Sequence, residues 1–198
     1  MKQKVLLASN NAHKIKEIRA ILGDFFDIVS LREAGVESDP EETGKTFEEN
    51  ARIKAVAGMK ASGMPCIADD SGLEVLALDC RPGVMSARYS GSHGDDAANN
   101  EKLLAELADK PDRSARYVCV ICMAFPDGRE LEARGECYGE ILKEKRGNGG
   151  FGYDPLFYFP QFDKTFAEIS AEEKNEVSHR NAALKAFEKL WEKEINDK

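Results

Sequence analysis

A chain of 198 residues, 42% hydrophobic and 32% charged, can fill the core of one domain, or of one domain folded as two lobes around a cleft; this composition excludes a disordered chain. The formal net charge of −8 argues against a nucleic-acid surface, because phosphate backbones are held mainly through Lys and Arg, yet it leaves room for a local basic pocket. No apolar run reaches membrane-spanning length, the stretch from Val5 to Ala8 is too brief for a signal peptide, and five scattered cysteines fit free thiols in a reducing cytoplasm.

In chain order, the apolar run after Gln3 predicts a strand over residues 4–9. Ile15, Ile18 and Leu22 recur at helical spacing and predict a helix over 12–22. Residues 25–31 read as a second strand. Thr46-Phe-Glu-Glu49 has the form of a capping box and opens a long helix to about Ala61, closed by Gly63 and Pro65. Residues 66–69 and 73–78 read as two short strands separated by Asp69-Asp70-Ser71-Gly72. Residues 95–107 are expected to be helical, with Leu103, Leu104 and Leu107 inward. Two long strands, 114–125 and 129–142, flank the turn Pro126-Asp-Gly128. A Gly-rich loop covers 146–152. A last helix, from 178 to about 194, is expected to pack through Leu184, Phe187, Leu190 and Trp191. No repeat or long linker interrupts the chain, which is expected to form a single domain over 1–198. The order of elements predicts a mixed-sheet α/β fold and not a regular βαβ array.

Polar clusters fall at the ends of these elements, where sites are commonly built. Ser9-Asn10-Asn11-Ala12-His13-Lys14 leads from strand to helix; a helix start favours anions, and Lys14 adds a full charge one turn in. The plain alternative is a Ser/Asn cap with a solvated Lys. Asp69 and Asp70 beside an apolar strand need a cation, a partner or water. Oxygen donors of this kind suit Mg²⁺, and the loop acids Glu41 and Glu42 offer more of them. The alternative there is an acidic surface turn.

Gly147-Asn-Gly149-Gly-Phe-Gly152 matches the dinucleotide pattern G-x-G-x-x-G in form only. The pattern needs a helix to follow, and Pro155 with its aromatic run favours an extended chain, which disfavours an NAD-type oxidoreductase. Phe151 and Tyr153 on a Gly-rich turn fit a flat base instead. Lys174 and Ser178-His179-Arg180 precede or open the last helix, where positive charge opposes the helix dipole and so is not there for helix stability. Cys119 and Cys122 form C-x-x-C, but on a strand residues three apart point to opposite faces, so a shared metal is not expected.

Taken together, the residues resemble the inosine triphosphate pyrophosphatase family. The resemblance is carried by Ser9-x-Asn11-x-x-Lys14, Glu42-Thr43-Gly44, Thr46-Phe47-x-Glu49-Asn50-Ala51, Asp69-Asp70-Ser71-Gly72-Leu73, Pro82-Gly83-Val84-x-Ser86-Ala87-Arg88-Tyr89, Gly149-Gly150-Phe151-Gly152-Tyr153-Asp154-Pro155 and Ser178-His179-Arg180. It implies an elongated mixed α/β sheet flanked by helices, two lobes around a central cleft, and a homodimer. It implies Mg²⁺-dependent hydrolysis of ITP, dITP and XTP to the monophosphate and pyrophosphate. By position, Ser9, Asn10, Asn11, Ala12, His13 and Lys14 would bind the triphosphate, with Lys54 reaching the phosphates. Asp70 would be catalytic base and metal ligand, Glu42 a second metal ligand, and Ser71 a substrate contact. Phe151, Gly152, Tyr153, Asp154, Lys174, His179 and Arg180 would form the base pocket. Whether Asp69 or Asp70 acts as base stays open at this level. The rival readings are a house-cleaning pyrophosphatase for modified pyrimidine triphosphates and a nucleotide-binding regulator without turnover; the latter gains little from acids facing phosphate.

Overall fold

The computed structural model describes residues 2–196, without the side chain of His13. In chain order the elements are β1 (Gln3–Leu7), α1 (Ala12–Leu22), β2 (Phe26–Ser30), α2 (Leu31–Ala34), α3 (Phe47–Ser62), β3 (Cys66–Val75), β4 (Arg81–Pro82), α4 (Asp96–Glu106), β5 (Ser114–Ala124), β6 (Glu130–Ile141), β7 (Phe157–Phe159), β8 (Lys164–Thr165), α5 (Ala171–Val177) and α6 (His179–Asn196). Short 3₁₀ helices cover Leu76–Leu78 and Gly83–Arg88. The strands form one 8-stranded sheet in the order β2-β1-β3-β5-β6-β7-β8, with β4 paired to β3. β1 runs parallel to β2 and to β3, whereas β3–β4, β6–β7 and β7–β8 are antiparallel, so the sheet is mixed as expected.

The chain divides into two compact units. The first takes the chain through Asp70, then Cys119–Gly135, then the chain from Arg180 onward. Its core joins Val5, Leu7, Ile18, Leu22, Phe26, Ile28, Ile67, Ile121, Met123, Leu184 and Phe187. The second takes Ser71–Val118 and Glu136–His179, around Leu73, Val75, Leu103, Leu107, Tyr117, Ile141, Leu156, Phe157 and Phe166.

Local chemistry explains most boundaries. Thr46 caps α3: its hydroxyl accepts from Glu49 N, the Glu49 carboxylate accepts from Thr46 N, and Gly63 closes the helix. Ser30 and Glu33 form a second capping box on α2, a short helix that the sequence reading missed. The Ser30 backbone N–H, then the Arg19 guanidinium, holds the Glu33 carboxyl down to about 2. Ser170 and Glu173 cap α5, also missed, which separates Lys174 from the last helix. β5 is buried along nearly its whole length, as a strand between two neighbours under packed helices must be, while β6 alternates between exposed and buried positions.

Two expectations change. Residues 66–78 are not two strands about a loop: β3 runs 10 residues without a break through Asp69-Asp70-Ser71-Gly72, because both carboxylates find cations and need no water-exposed turn. Leu190 is exposed, because the adjacent Trp191 fills that part of the α6 core stripe, its ring 4.7 Å from Phe26 and 6.1 Å from Phe125. All five cysteines are free; Cys119 faces the first core with Ile121 and Met123, and Cys122 lies outside that cluster.

Burial pushes the thiols of Cys66, Cys119, Cys122 and Cys137 up to about 12, whereas Cys80 is exposed. An alkylating reagent at pH 8 should therefore modify Cys80 alone in the folded protein and all five cysteines after denaturation. Intact-mass spectrometry reads the result, and rapid native modification of a second thiol would contradict this packing.

Candidate active site

In the first unit, β1 ends at Leu7 and the chain turns through exposed Asn10, Asn11 and Ala12 into α1. Ser9 Oγ accepts from Asn11 N at 3.1 Å and Asn11 Oδ1 accepts from Lys14 N at 3.2 Å, so this segment does act as a helix cap. The cap also aims Lys14 at β3. Its ammonium donates to Asp69 Oδ1 at 3.0 Å and lies 2.9 Å from Oδ2.

α3 presents Asn50 and Lys54, one turn apart on a single face, to the next carboxylate. Lys54 Nζ donates to Asp70 Oδ1 at 2.9 Å and pairs with Glu42 Oε1 at 2.9 Å, bridging the two acids. Asn50 Nδ2 donates to Asp70 Oδ2 at 3.4 Å, and Asn50 Oδ1 accepts from Gly44 N at 2.8 Å. A Cβ at Gly44 would stand 2.5 Å from that amide oxygen, so only glycine lets the Glu42 loop come this close to α3.

The adjacent carboxylates are driven in opposite directions. Burial opposes the charge of Asp69, but Lys14 and Arg180 overcome it and hold the carboxyl well below the usual range. Burial also works on Asp70; Lys54 pulls its pKa down, Glu42 pushes it up, and the balance leaves it raised. Lys54, desolvated yet facing Asp70 and Asp69, is held above its ordinary value and remains an ammonium. Asp69 is thus held as an anion, and Asp70 has the higher proton affinity of the two.

Glu42 and Asp70 converge on one cation through oxygen donors. Among the described residues no group of three or more His, Cys, Asp or Glu side chains could hold a metal by itself. That donor set fits a hard divalent ion such as Mg²⁺, which takes one or two carboxylates and completes its shell with phosphate and water.

In the second unit, the Gly-rich loop is built around Asp154, which is 1% exposed. Asp154 Oδ2 accepts from Phe151 N at 2.9 Å and pairs with Lys174, while Oδ1 accepts from Tyr117 OH at 3.3 Å. Gly150 has φ +72 and a Cβ there would lie 2.2 Å from Asp154 Oδ2, so glycine is required on both counts. From α4, Asp96 accepts from Gly152 N at 2.7 Å and Asn100 donates to Gly152 O at 2.8 Å. Phe151 is left 64% exposed, with the Lys174 ammonium 4.2 Å from its ring centroid. His179 is buried and stacks on Tyr117, centroids 4.9 Å apart at 16°. Ser71 is half-buried on β3, and Leu73 N donates to Ser86 Oγ at 2.8 Å.

The expected residues therefore form two networks. Lys14, Glu42, Lys54, Asp69 and Asp70 meet in the first unit, and Phe151, Asp154, Lys174 and His179 in the second. The resemblance assigns Arg180 to a base pocket, but its guanidinium lies 2.9 Å from Glu17 and 3.7 Å from Asp69. Those carboxylates explain why a cation opens α6 against the dipole. Tyr153 and Asp154 shape their loop from within: the Tyr153 hydroxyl is committed to Ser86 O at 2.9 Å. The role expected of His13 rests on a side chain outside the described residues. Of the residues that join these networks, Asn50 enters the sequence reading only as part of a motif, and Asp96, Asn100 and Tyr117 do not enter it at all. Asn50 had a signal, an amide among Phe47, Ala51 and Ala55 on the buried face of α3; Tyr117 was hidden in an apolar strand.

Fold and constellation together define an α/β protein whose first unit gathers buried acids and lysines along one sheet strand and whose second unit carries an aromatic, Gly-rich loop. The sequence model of the Ham1 family matches residues 5–190, and the chain belongs to that family. A "dITP/XTP pyrophosphatase" of Desulfotalea psychrophila is 58% identical over 91% of this chain and 81% of its own length. One of Clostridium perfringens is 52% identical over 92% and 94%. The solved structure of the Staphylococcus aureus Ham1 protein superposes with a TM-score of 0.91 at 46% identity, covering 97% of this chain and 100% of that one.

The Asp69 pairing carries a pH signature. A depressed carboxylate adds stability above its unfolded value, roughly 3.9, and that stability is lost as pH falls through and below this point. Asp69→Asn should cost about 3 kcal/mol at neutral pH, since it strands the facing cations. The gap to wild type should narrow as urea unfolding is repeated from pH 7 towards pH 3; a gap that stays constant would show that Asp69 is not the titrating anion.

Proposed function

We propose that this chain is a dITP/XTP pyrophosphatase that hydrolyses ITP, dITP and XTP to the monophosphate and pyrophosphate, with the whole chain serving as one catalytic domain. The observation that carries the reading is the Lys54-bridged pair of Glu42 and Asp70 beside the fixed anion Asp69. The names borne by relatives more than half identical support the same substrate class.

Chemistry follows from the residues. Glu42 and Asp70 would hold Mg²⁺, which when bound neutralises phosphate charge and acidifies water. Asp70, raised by burial, takes the proton of the attacking water. The water oxygen bonds to the α-phosphorus as the bond to the bridging α–β oxygen breaks, and pyrophosphate leaves with that electron pair. Lys54 remains charged next to Asp70 and offsets negative charge gathered on the phosphates. Lys14, at the start of α1, does the same once phosphate competes with Asp69 for its ammonium. Asn50 holds the Glu42 loop and the Asp70 carboxylate in register. Ser9 to Lys14 take the triphosphate, and Ser71 adds a substrate contact.

Base choice draws first on the Gly-rich loop. Phe151 offers an exposed face for stacking and Lys174 a donor beside it. Hypoxanthine and xanthine carry a C6 carbonyl that accepts from such a donor, whereas the amino group of adenine offers it no acceptor, a loss of about 1–3 kcal/mol per buried group. The family resemblance also implies His179 and Arg180 in base selection; the Arg180 guanidinium itself lies 3.7 Å from Asp69. The reading includes a homodimer, on family resemblance, and a cytoplasmic location, in keeping with free thiols. Among the described residues no helix is long and apolar enough to cross a membrane.

A turnover panel with Mg²⁺ tests the reading: ITP, XTP, the standard triphosphates and a modified pyrimidine triphosphate, with pyrophosphate and orthophosphate assayed separately. Pyrophosphate from ITP and XTP above all others is expected; a pyrimidine preference or orthophosphate release would overturn it. Asp70→Asn should lower kcat by about 10²–10⁴-fold while KM changes little. Near wild-type turnover in that variant would remove Asp70 from the role of base.

A further inference from the structure

Tyr117 lies on β5 inside the core of the second unit, 8% exposed. Its ring is fixed from several sides: stacked on Phe166 with centroids 6.0 Å apart at 3°, tilted against Phe157 at 4.6 Å, and stacked on His179 at 4.9 Å. Phenylalanine would fill this space equally well and would bring no hydroxyl needing a partner. The hydroxyl donates instead to Asp154 Oδ1. The other oxygen of that carboxylate pairs with Lys174 and accepts from Phe151 N. One buried side chain thus touches the imidazole directly. Through a single carboxylate it also touches the ammonium and the backbone of the exposed ring.

We propose that Tyr117 is a positioning residue that sets base specificity without touching the nucleotide: it orients His179 by stacking and holds Asp154, which aims Lys174 across the face of Phe151. The inference rests on the proposed pyrophosphatase reading and deepens it. Burial, with Asp154 adding to it, raises the phenol far above its ordinary range, so it stays a donor at any working pH. Asp154 is almost fully enclosed, so its carboxylate orientation depends on the donors around it. Without the Tyr117 hydroxyl, Oδ1 loses that donor, the carboxylate keeps its Oδ2 contacts but is less firmly oriented, and Lys174 loses part of its fixed reach towards a carbonyl acceptor on a base stacked at Phe151. A 6-oxopurine suffers from that drift. A 6-aminopurine, which gains nothing from the ammonium, does not.

The test compares kcat/KM for ITP and ATP in wild type, Tyr117→Phe, Lys174→Ala and the double variant, with thermal melting of each. Tyr117→Phe keeps the packing ring and should fold. Its ITP-to-ATP ratio should fall on the order of tenfold, mainly through a higher KM for ITP. The double variant should lose little more than Lys174→Ala alone, since both changes break the same chain of contacts. A ratio unchanged in Tyr117→Phe, a parallel fall for both substrates, or fully additive losses would each overturn the inference. Wild type that does not prefer ITP would instead overturn the parent reading, so the two failures are told apart by the wild-type measurement.

Discussion

Two adjacent carboxylates inside a continuous strand are the constraint on which the first unit depends. Asp69 and Asp70 lie within the 10 residues of β3, and burying both without compensation is prohibitive. Compensation comes from elements far apart in the chain: Lys14 at the start of α1, Lys54 and Asn50 on α3, and Arg180 at the start of α6. Because side chains alternate along a strand, neighbouring acids face different partners. That separation gives them different chemistry. Asp69 is matched by lysine and arginine and stays charged, while Asp70 shares its lysine with Glu42 and is raised.

In the proposed reading the cations that make the strand foldable would also meet the polyphosphate, so that one set of charges would serve stability and chemistry. This is a high-stakes arrangement. Removing a charged member breaks a buried pairing, which is why the constellation is expected to respond to mutation through stability.

The second unit follows a parallel logic around a single buried acid. Asp154 orders the Gly-rich loop, with α4 clamping Gly152 through Asp96 and Asn100. The loop thereby exposes Phe151, an aromatic ring that would ordinarily be buried, while Asp154 holds its backbone N–H. In the proposed reading that anchoring would matter, because a stacking surface that must be ordered at each binding event loses affinity to entropy.

Much of this was legible in the sequence, where the physics is local. Capping at Thr46, the turn at Pro126-Asp-Gly128, the helical spacing of Ile18 and Leu22, and the failure of the Gly-rich loop to open a helix depend on residues within a few positions of one another. The ordered motifs also pointed to the Ham1 family relationship that the comparisons bear out. The unbroken course of β3, the division of labour between Asp69 and Asp70, the pairing of Arg180 with Glu17, and the place of Tyr117 were decided only by tertiary structure. Each rests on partners tens of residues away. Sheet order, not periodicity, sets which cation meets which carboxylate, and the burial that shifts a carboxylate exists only once the chain has folded.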